Sequence, residues 1–282
     1  MKSPTRTVQL DPPGRPRRSG RLLLLGPLQI ASLNRSRTVA VYLPPGYDPR
    51  GTVRYPVTYL FDGQNLFDPY TSFSGDWEVD LTVDRLTLGQ EVQPGITVGI
   101  YNGEGHRISE QSPWPDAHYG CTGEGDRFID WVAGPLQEEI NHRFLTLTGP
   151  LNTGIGGSSM GGLTALYALF SRPDAFGRAL VMSPSLWFAR GAVFDHVAAV
   201  GMRPPGSRVY LDFGGREMRA GPGTRLLRDA RIMKELLLSV GFTAGEDLLW
   251  VEDPTGIHNE ACWAARLPRA LSFLWPPVAD SR

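Results

Sequence analysis

The residue pattern most suited to chemistry is one G-x-S-x-G, in which Gly157 and Gly161 flank Ser159. It lies between an apolar, β-leaning run at 151–155 and a helical apolar period that begins at Leu163. A serine on a sharp strand-to-helix turn exposes its hydroxyl, and the residues two positions away on each side must be small. The pattern therefore predicts Ser159 as a nucleophile, with a serine-capped turn at a helix start as the alternative.

A serine hydroxyl is a poor nucleophile at neutral pH, so it needs a base, and the base needs an acid that orients it. Of the five histidines, His258 alone follows a strand after Ser159 and opens a helix, so it is the candidate base. Glu217, on the loop after the strand RVYLDF, is the favoured acid. Asp229 on the following helix and Asp212 inside the strand are the alternatives.

A tetrahedral oxyanion needs two preorganised N–H donors. We expect one from the amide of Met160 and the other from the turn DGQN after the third strand, at Gly63 or Gln64. Further candidates for the substrate pocket are Gly63, Trp187, Arg107 and Trp114, together with His106 and His118 in the long loop. The tryptophans are equally well explained by packing, and Arg107 by a solvated position.

Composition and charge favour an ordinary globular protein over a nucleic-acid binder. The chain has 282 residues, of which 41% are hydrophobic and 20% charged, with a net charge of −1. Residues 1–21 carry a net +5 and four prolines, so the remainder has a net charge of −6. We therefore predict a disordered basic arm over 1–21, a single domain over 22–282, and no nucleic-acid partner.

The apolar runs are too short to span a membrane. The run at 22–25 ends at Gly26, and no small-residue cleavage site follows it, so we expect a cytoplasmic protein without a membrane partner. Cys121 and Cys262 have no metal or redox spacing, which favours two reduced thiols. We expect no metal and no cofactor, and the oligomeric state stays open.

Strands alternate with helices along the chain. Strands are predicted at 22–33, 37–43, 56–61, 96–101, 151–155, 178–182, 208–213 and 247–251. Helices are predicted at 77–88, 125–142, after Ser159, and at 192–200, 226–240 and 259–275, with a long loop at 102–122. This order predicts an α/β fold with a mostly parallel sheet covered by helices on both faces. Ligands of such sheets bind at the carboxyl ends of the strands, where we expect the candidate residues to meet.

Several stretches together resemble the Putative esterase family of α/β-hydrolases, which includes esterase D and the enterochelin, feruloyl and acetylxylan esterases and mycolyltransferases. They are RTVAVYLPPGYD, YLFDGQNLFD, GDWEVD, VGIYNG, GSSMGGL, SPSLW, YLDFGGRE and GIHNEACWAARLP. They follow one another in order over most of the chain. The resemblance implies an α/β-hydrolase fold and a serine carboxylic-ester hydrolase that forms an acyl-enzyme with a small acyl, phenolic or carbohydrate ester.

The resemblance also implies roles for particular residues. It implies that Ser159 is the nucleophile, His258 the base and Glu217 the acid. It also implies that the amides of Met160 and Gln64 donate hydrogen bonds to the oxyanion. The chain departs from the family pattern in two places: glycines and arginines fill 219–225, and glutamine stands at position 111, where the family often has tyrosine.

Three other functions remain open. Two have the same fold and chemistry, a siderophore esterase and an acyltransferase. The third belongs to another class, a hydrolase fold that has lost catalysis and serves as a binding module. Relatives of that kind lose the serine or the histidine, whereas this chain keeps both, so the enzyme is favoured.

Overall fold

Eight strands form one sheet in the computed structural model, which describes residues 17–217 and 225–277. The strands are β1 (Arg21–Ile30), β2 (Arg35–Leu43), β3 (Val57–Phe61), β4 (Ile96–Ile100), β5 (Thr153–Ser158), β6 (Arg178–Met182), β7 (Arg208–Gly214) and β8 (Leu248–Asp253). Their spatial order is β1-β2-β4-β3-β5-β6-β7-β8. β2 runs antiparallel to β1 and β4, and the other neighbours are parallel, so the predicted mostly parallel sheet is confirmed.

Helices cover both faces of this sheet. On one face lie α1 (Val79–Leu88) and α8 (Glu260–Leu274). On the other lie α3 (Gly125–Trp131), α4 (Gln137–Arg143), α5 (Met160–Ser171), α6 (Ala192–Val200) and α7 (Arg225–Ser239). A single turn of helix, α2 (Arg107–Glu110), lies in the loop after β4. The predicted three-layer α/β arrangement is confirmed.

Strand β3 shows why short apolar runs become central strands. All five of its residues are buried. Successive side chains point to opposite faces, so Tyr59 packs in the core beneath α3 and α5, while Leu60 packs in the core beneath α1 and α8. Burial of a large apolar side chain stabilises a fold by roughly 1.5–3 kcal/mol. Because β3 is packed on both faces, its carboxyl end is held in a fixed position.

The N-terminal segment enters the fold earlier than expected. Residues 1–16 of the predicted arm lie outside the described residues, as do residues 218–224 of the glycine- and arginine-rich segment. Arg18, however, has a side chain only 4% exposed and forms an ion pair with the fully buried Asp80 of α1. The backbone N–H of Ser19 donates to Asp84 at 2.6 Å. The last residues of the predicted arm are therefore packed against α1.

Two local features depart from the sequence expectations. The predicted helix at 125–142 contains a wider π-helical turn at 132–136, where Pro135 has no N–H to donate to the preceding turn. The predicted loop at 102–122 contains α2 and two 3-10 turns. Within the described part of the chain, no helix has the length and apolar character needed to cross a membrane.

Candidate active site

Ser159 stands on a strained turn between β5 and α5. Its backbone has φ 56° and ψ −119°, a conformation that side-chain-bearing residues seldom adopt. Three backbone hydrogen bonds fix it: its N–H donates to Met182 O at 3.0 Å, and its carbonyl accepts from Ser185 N at 3.0 Å and Leu163 N at 3.1 Å. The end of β6, the loop that follows it and the first turn of α5 therefore hold the backbone of Ser159 in place.

The two glycines of the pattern make this turn possible. A Cβ on Gly157 would lie 3.0 Å from the Cα of Gly161, and a Cβ on Gly161 would lie 3.1 Å from the Cβ of Phe61. Both distances are shorter than ordinary van der Waals contact. The steric reason given for the sequence pattern therefore applies in the structure.

His258 follows β8 and lies next to Asn259, which caps α8 by accepting a hydrogen bond from Cys262 N at 3.0 Å. The Nδ1 atom of its ring is 2.9 Å from Oε2 of Glu217. The ring packs edge-to-face on Trp263, with 4.9 Å between centroids. Since Nδ1 faces the carboxylate, the Nε2 atom is left for a different partner.

Of the three candidate carboxylates, Glu217 is the one that the structure brings to His258. Its side chain is only 1% exposed, and its Oε1 accepts from Gly214 N at 2.8 Å and from the hydroxyl of Ser183. Asp212 is fully buried and pairs instead with Arg266. Asp229 lies on α7, the helix beyond the loop that carries Glu217.

Ser159 and His258 line the same cavity, whose volume is about 490 Å³. In the described residues, the hydroxyl of Ser159 has its hydrogen bond with Ser185 Oγ at 3.2 Å, and none joins it to the ring of His258. Catalytic hydrogen bonds are often long or absent in ligand-free structures and form when substrate binds. The candidate nucleophile and the candidate base therefore share one cavity, with no hydrogen bond between them in the described residues.

Most of the residues that line the cavity have polar side chains. The lining consists of Asp62, Gln64, Asn65, Thr71, Ser72, Phe73, Asn102, Arg107, Ser158, Ser159, His258, Glu260 and Trp263. Arg107, a predicted pocket residue, and Gln64, a predicted oxyanion donor, are among them. Three other predicted pocket residues, Gly63, Trp114 and Trp187, are not part of this described lining, and neither is Gln111, which is 2% exposed. The same holds for His106 and His118.

Packing explains where the tryptophans and Gly63 lie instead. Trp114 packs edge-to-face on Tyr167, and Trp187 packs against Phe188. A Cβ on Gly63 would lie 2.4 Å from the carbonyl carbon of Gly99, so glycine is required where this turn crosses β4.

Two backbone amides are available at the positions predicted for an oxyanion hole. Met160 is the first residue of α5, and Gln64 lies in the 3-10 turn after β3. Neither N–H donates to a protein acceptor within the described residues. Amides at the start of a helix have no partner inside the helix, so they suit a developing negative charge.

An ion pair in the cavity wall was not anticipated from the sequence. Arg107 donates to both oxygens of Asp62, from Nε at 2.7 Å and from Nη2 at 2.8 Å, and Asn102 donates to Oδ1 at 2.7 Å. Burial opposes the charge on Asp62, but Arg107, together with hydrogen bonds from Asn102 and Gln111, outweighs it and holds the pKa of this carboxyl below its ordinary value. The aspartate that opens DGQN was a usable signal, because it follows a buried strand.

Glu260 is a second unanticipated carboxylate of the lining. It begins α8, two residues after His258, and is only 5% exposed. It accepts from Asn65 Nδ2 at 3.2 Å and from the hydroxyl of Ser74. These bonds join the start of α8 to the loop after β3. Its position within HNEACW was the available signal.

Known proteins provide an independent comparison. The sequence matches the Putative esterase family over residues 30–274. It is 25% identical over 254 residues to the uncharacterized protein YbbA of Bacillus subtilis (strain 168), covering 85% of this chain and 93% of YbbA. It is 30% identical over 139 residues to the iron(III) enterobactin esterase of Escherichia coli (strain K12), covering 46% of this chain but only 31% of that enzyme.

A solved structure shows which fold this chain shares with a known protein. The enterobactin esterase FES from Shigella flexneri, solved in the presence of enterobactin, superposes with a TM-score of 0.70 at 23% identity. The match covers 98% of this chain and 60% of that one. The α/β-hydrolase fold implied by the resemblance is confirmed. The chain belongs to the Putative esterase family.

Proposed function

We propose that this member of an esterase family hydrolyses carboxylic esters through an acyl-enzyme formed on Ser159. One observation carries the proposal: Ser159, on its strained turn, opens into the same cavity as His258, whose Nδ1 is held by Glu217 at 2.9 Å. Nucleophile, base and orienting acid are the three parts that an activated serine needs.

The reaction starts when bound ester brings the Ser159 hydroxyl from Ser185 to Nε2 of His258. His258 takes the proton as Ser159 Oγ attacks the ester carbonyl, and Glu217 stabilises the imidazolium through Nδ1–H. The amides of Met160 and Gln64 donate to the oxyanion. His258 then protonates the leaving alcohol and afterwards activates a water, which releases the acid and regenerates Ser159.

The cavity favours a small ester with polar groups. Its volume suits a compact ligand, and Asn65, Asn102 and Glu260 offer hydrogen-bonding groups along its wall. Phe73, which is 93% exposed, adds one apolar surface at the mouth. We infer a small acyl, phenolic or carbohydrate ester as substrate.

A siderophore ester is the second candidate. It is supported by the Escherichia coli relative, an iron(III) enterobactin esterase, which this chain matches at 30% identity over 139 residues. An acyltransferase of the same fold would differ in how its acyl-enzyme is discharged, because alcohol acceptors would do so faster than water. The cytoplasmic location stays a prediction and would be tested by cell fractionation.

Labelling with a fluorophosphonate probe tests the nucleophile directly, since only an activated serine reacts. We expect wild type to be labelled at Ser159, and Ser159→Ala to lose both labelling and hydrolysis of p-nitrophenyl acetate while keeping its melting temperature. Ser171 offers a matched control, because its hydroxyl is 3.0 Å from Nε2 of His196 but lies outside the described cavity lining. Ser171→Ala should keep labelling and turnover.

Two outcomes would refute the proposal. Undiminished hydrolysis by Ser159→Ala would exclude Ser159 as nucleophile. A folded wild-type protein that neither reacts with the probe nor hydrolyses esters would favour the binding-module alternative. A panel of acetylated sugars, feruloyl esters and triscatecholate lactones then separates the substrate classes by kcat/KM.

A further inference from the structure

We propose that Ser183 is a positioning residue that fixes the carboxylate of Glu217 for His258, an inference that rests on the function proposed above. Ser183 follows β6 directly and is only 1% exposed. Its backbone has φ 42°, in the left-handed region. A buried serine in that conformation persists only where its surroundings hold it.

The hydrogen bonds around Ser183 leave one direction for its proton. Trp263 Nε1 and Arg266 Nη2 each donate to the Oγ of Ser183 at 3.0 Å. A hydroxyl oxygen has two lone pairs, and these two donors occupy both. The hydroxyl hydrogen is therefore left for Oε1 of Glu217, with which Ser183 forms a short hydrogen bond.

The same bonds fix the orientation of Glu217. Its Oε1 accepts from Ser183 and, at 2.8 Å, from Gly214 N, and the guanidinium of Arg266 lies 3.9 Å away. Oε2 is thereby left for Nδ1 of His258. The donors to Oε1 and the imidazole at Oε2 together hold the carboxylate of Glu217 in one plane beside His258.

Arg266 is itself held in place. It donates to Asp212 from Nε at 2.8 Å and from Nη2 at 3.2 Å, and its Nη1 lies 3.4 Å from Asp253. Burial opposes the charge on Arg266, but the contact with Asp212 prevails and its pKa lies above the ordinary value. Asp212 also accepts from Ser183 N at 3.0 Å. The ends of β6 and β7 and the helix α8 are thus joined behind Glu217.

Ser183→Ala tests the proposal. We expect kcat for p-nitrophenyl acetate to fall about 10- to 100-fold, because a bond to an ionised group is lost, with KM unchanged. In proton NMR, the downfield Nδ1–H resonance of His258 should broaden through faster exchange with water. The matched control is Ser207→Ala, which removes another fully buried hydroxyl, bonded to Pro204 O at 2.7 Å. It should leave kcat and the resonance as in wild type.

Ser183→Gly keeps the test decisive if Ser183→Ala does not fold, because glycine accepts the positive φ without strain. It should show the same loss of kcat. A folded Ser183 variant with wild-type kcat and an unchanged His258 resonance would overturn the inference. If Ser159→Ala remained active, the proposed function would fail instead, so the two failures are distinguishable.

Discussion

Glu217→Gln is the most demanding test of the proposed acid, because an amide cannot satisfy both sides of this site while Nδ1 of His258 carries the ring proton. Oε2 accepts from His258 Nδ1–H, and Oε1 accepts from Gly214 N–H and the Ser183 hydroxyl. With its NH₂ towards His258, glutamine would donate to Nδ1 and force the ring proton onto Nε2. That tautomer cannot take the proton of Ser159.

The opposite orientation of the amide is also unfavourable. It would point the NH₂ at the N–H of Gly214 and the hydroxyl of Ser183, and an orphaned buried donor costs about 1–3 kcal/mol. The productive orientation is therefore the minor one. We expect kcat/KM to fall roughly 10³- to 10⁴-fold, the scale of a triad with the wrong tautomer. At 1.36 kcal/mol per factor of ten, this corresponds to about 4–5.5 kcal/mol.

The assay is hydrolysis of p-nitrophenyl acetate at several pH values, with circular dichroism to confirm folding. The matched control is Asp229→Asn, the same kind of change at the rival carboxylate on α7. We expect it to stay within about threefold of wild type, as is usual away from reacting groups. The reasoning is wrong if folded Glu217→Gln retains a tenth or more of wild-type kcat/KM, or if Asp229→Asn loses as much.

Three further changes test other parts of the site. Gly63→Ala would place a Cβ 2.4 Å from the carbonyl carbon of Gly99. The free energy of unfolding, measured in urea, should therefore fall by about 1–3 kcal/mol. An unchanged free energy of unfolding would contradict the steric argument. Arg107→Gln removes the main charged partner that lowers the pKa of Asp62 in the folded state. A carboxyl whose pKa is lowered by folding stabilises the fold at pH values above its unfolded-state pKa, and this stabilisation is lost as the pH falls through its folded-state pKa. The difference in unfolding free energy between wild type and Arg107→Gln should therefore be largest at pH 7 and shrink below about pH 4. An equal difference at pH 7 and pH 3 would count against it. Phe73→Ala should raise KM for aryl esters about two- to tenfold while the melting temperature stays constant, and an unaltered KM would remove Phe73 from the substrate contacts.

The parts of the site that sequence could predict are those with local requirements. The turn at Ser159 needs small residues at Gly157 and Gly161, and that steric demand is visible in five consecutive letters. His258 and Glu217 could be predicted because the carboxyl ends of parallel strands meet at one edge of a sheet. The base and the acid that serve Ser159 are therefore expected in the loops that follow these strands. The sequence favours Glu217 but keeps Asp229 and Asp212 as alternatives, because the conformation of the loop decides which carboxylate meets the ring of His258.

The parts that sequence could not predict depend on tertiary contacts. The pair of Arg107 and Asp62 joins loops after two strands, and nothing in either segment identifies the partner. Ser183 looks like an ordinary residue of SPSLW until Trp263 and Arg266, some 80 positions away, donate to it. The strands were placed within a few residues because most of them carry apolar runs of several residues between turn residues, whereas α2 and the π-helical turn are too short to leave such a pattern.

Several residues of the candidate site lie in the first two turns of helix α8. Its cap follows His258, Glu260 and Trp263 face the cavity, and Arg266 supports the carboxylate behind the ring. A change in tilt of this one segment would disturb proton transfer and ligand contact at once, which leaves it little freedom to diverge. New substrate preferences in descendants of this enzyme should therefore arise at 71–73 and around Asn102, where altered side chains reshape the entrance without moving the reacting groups.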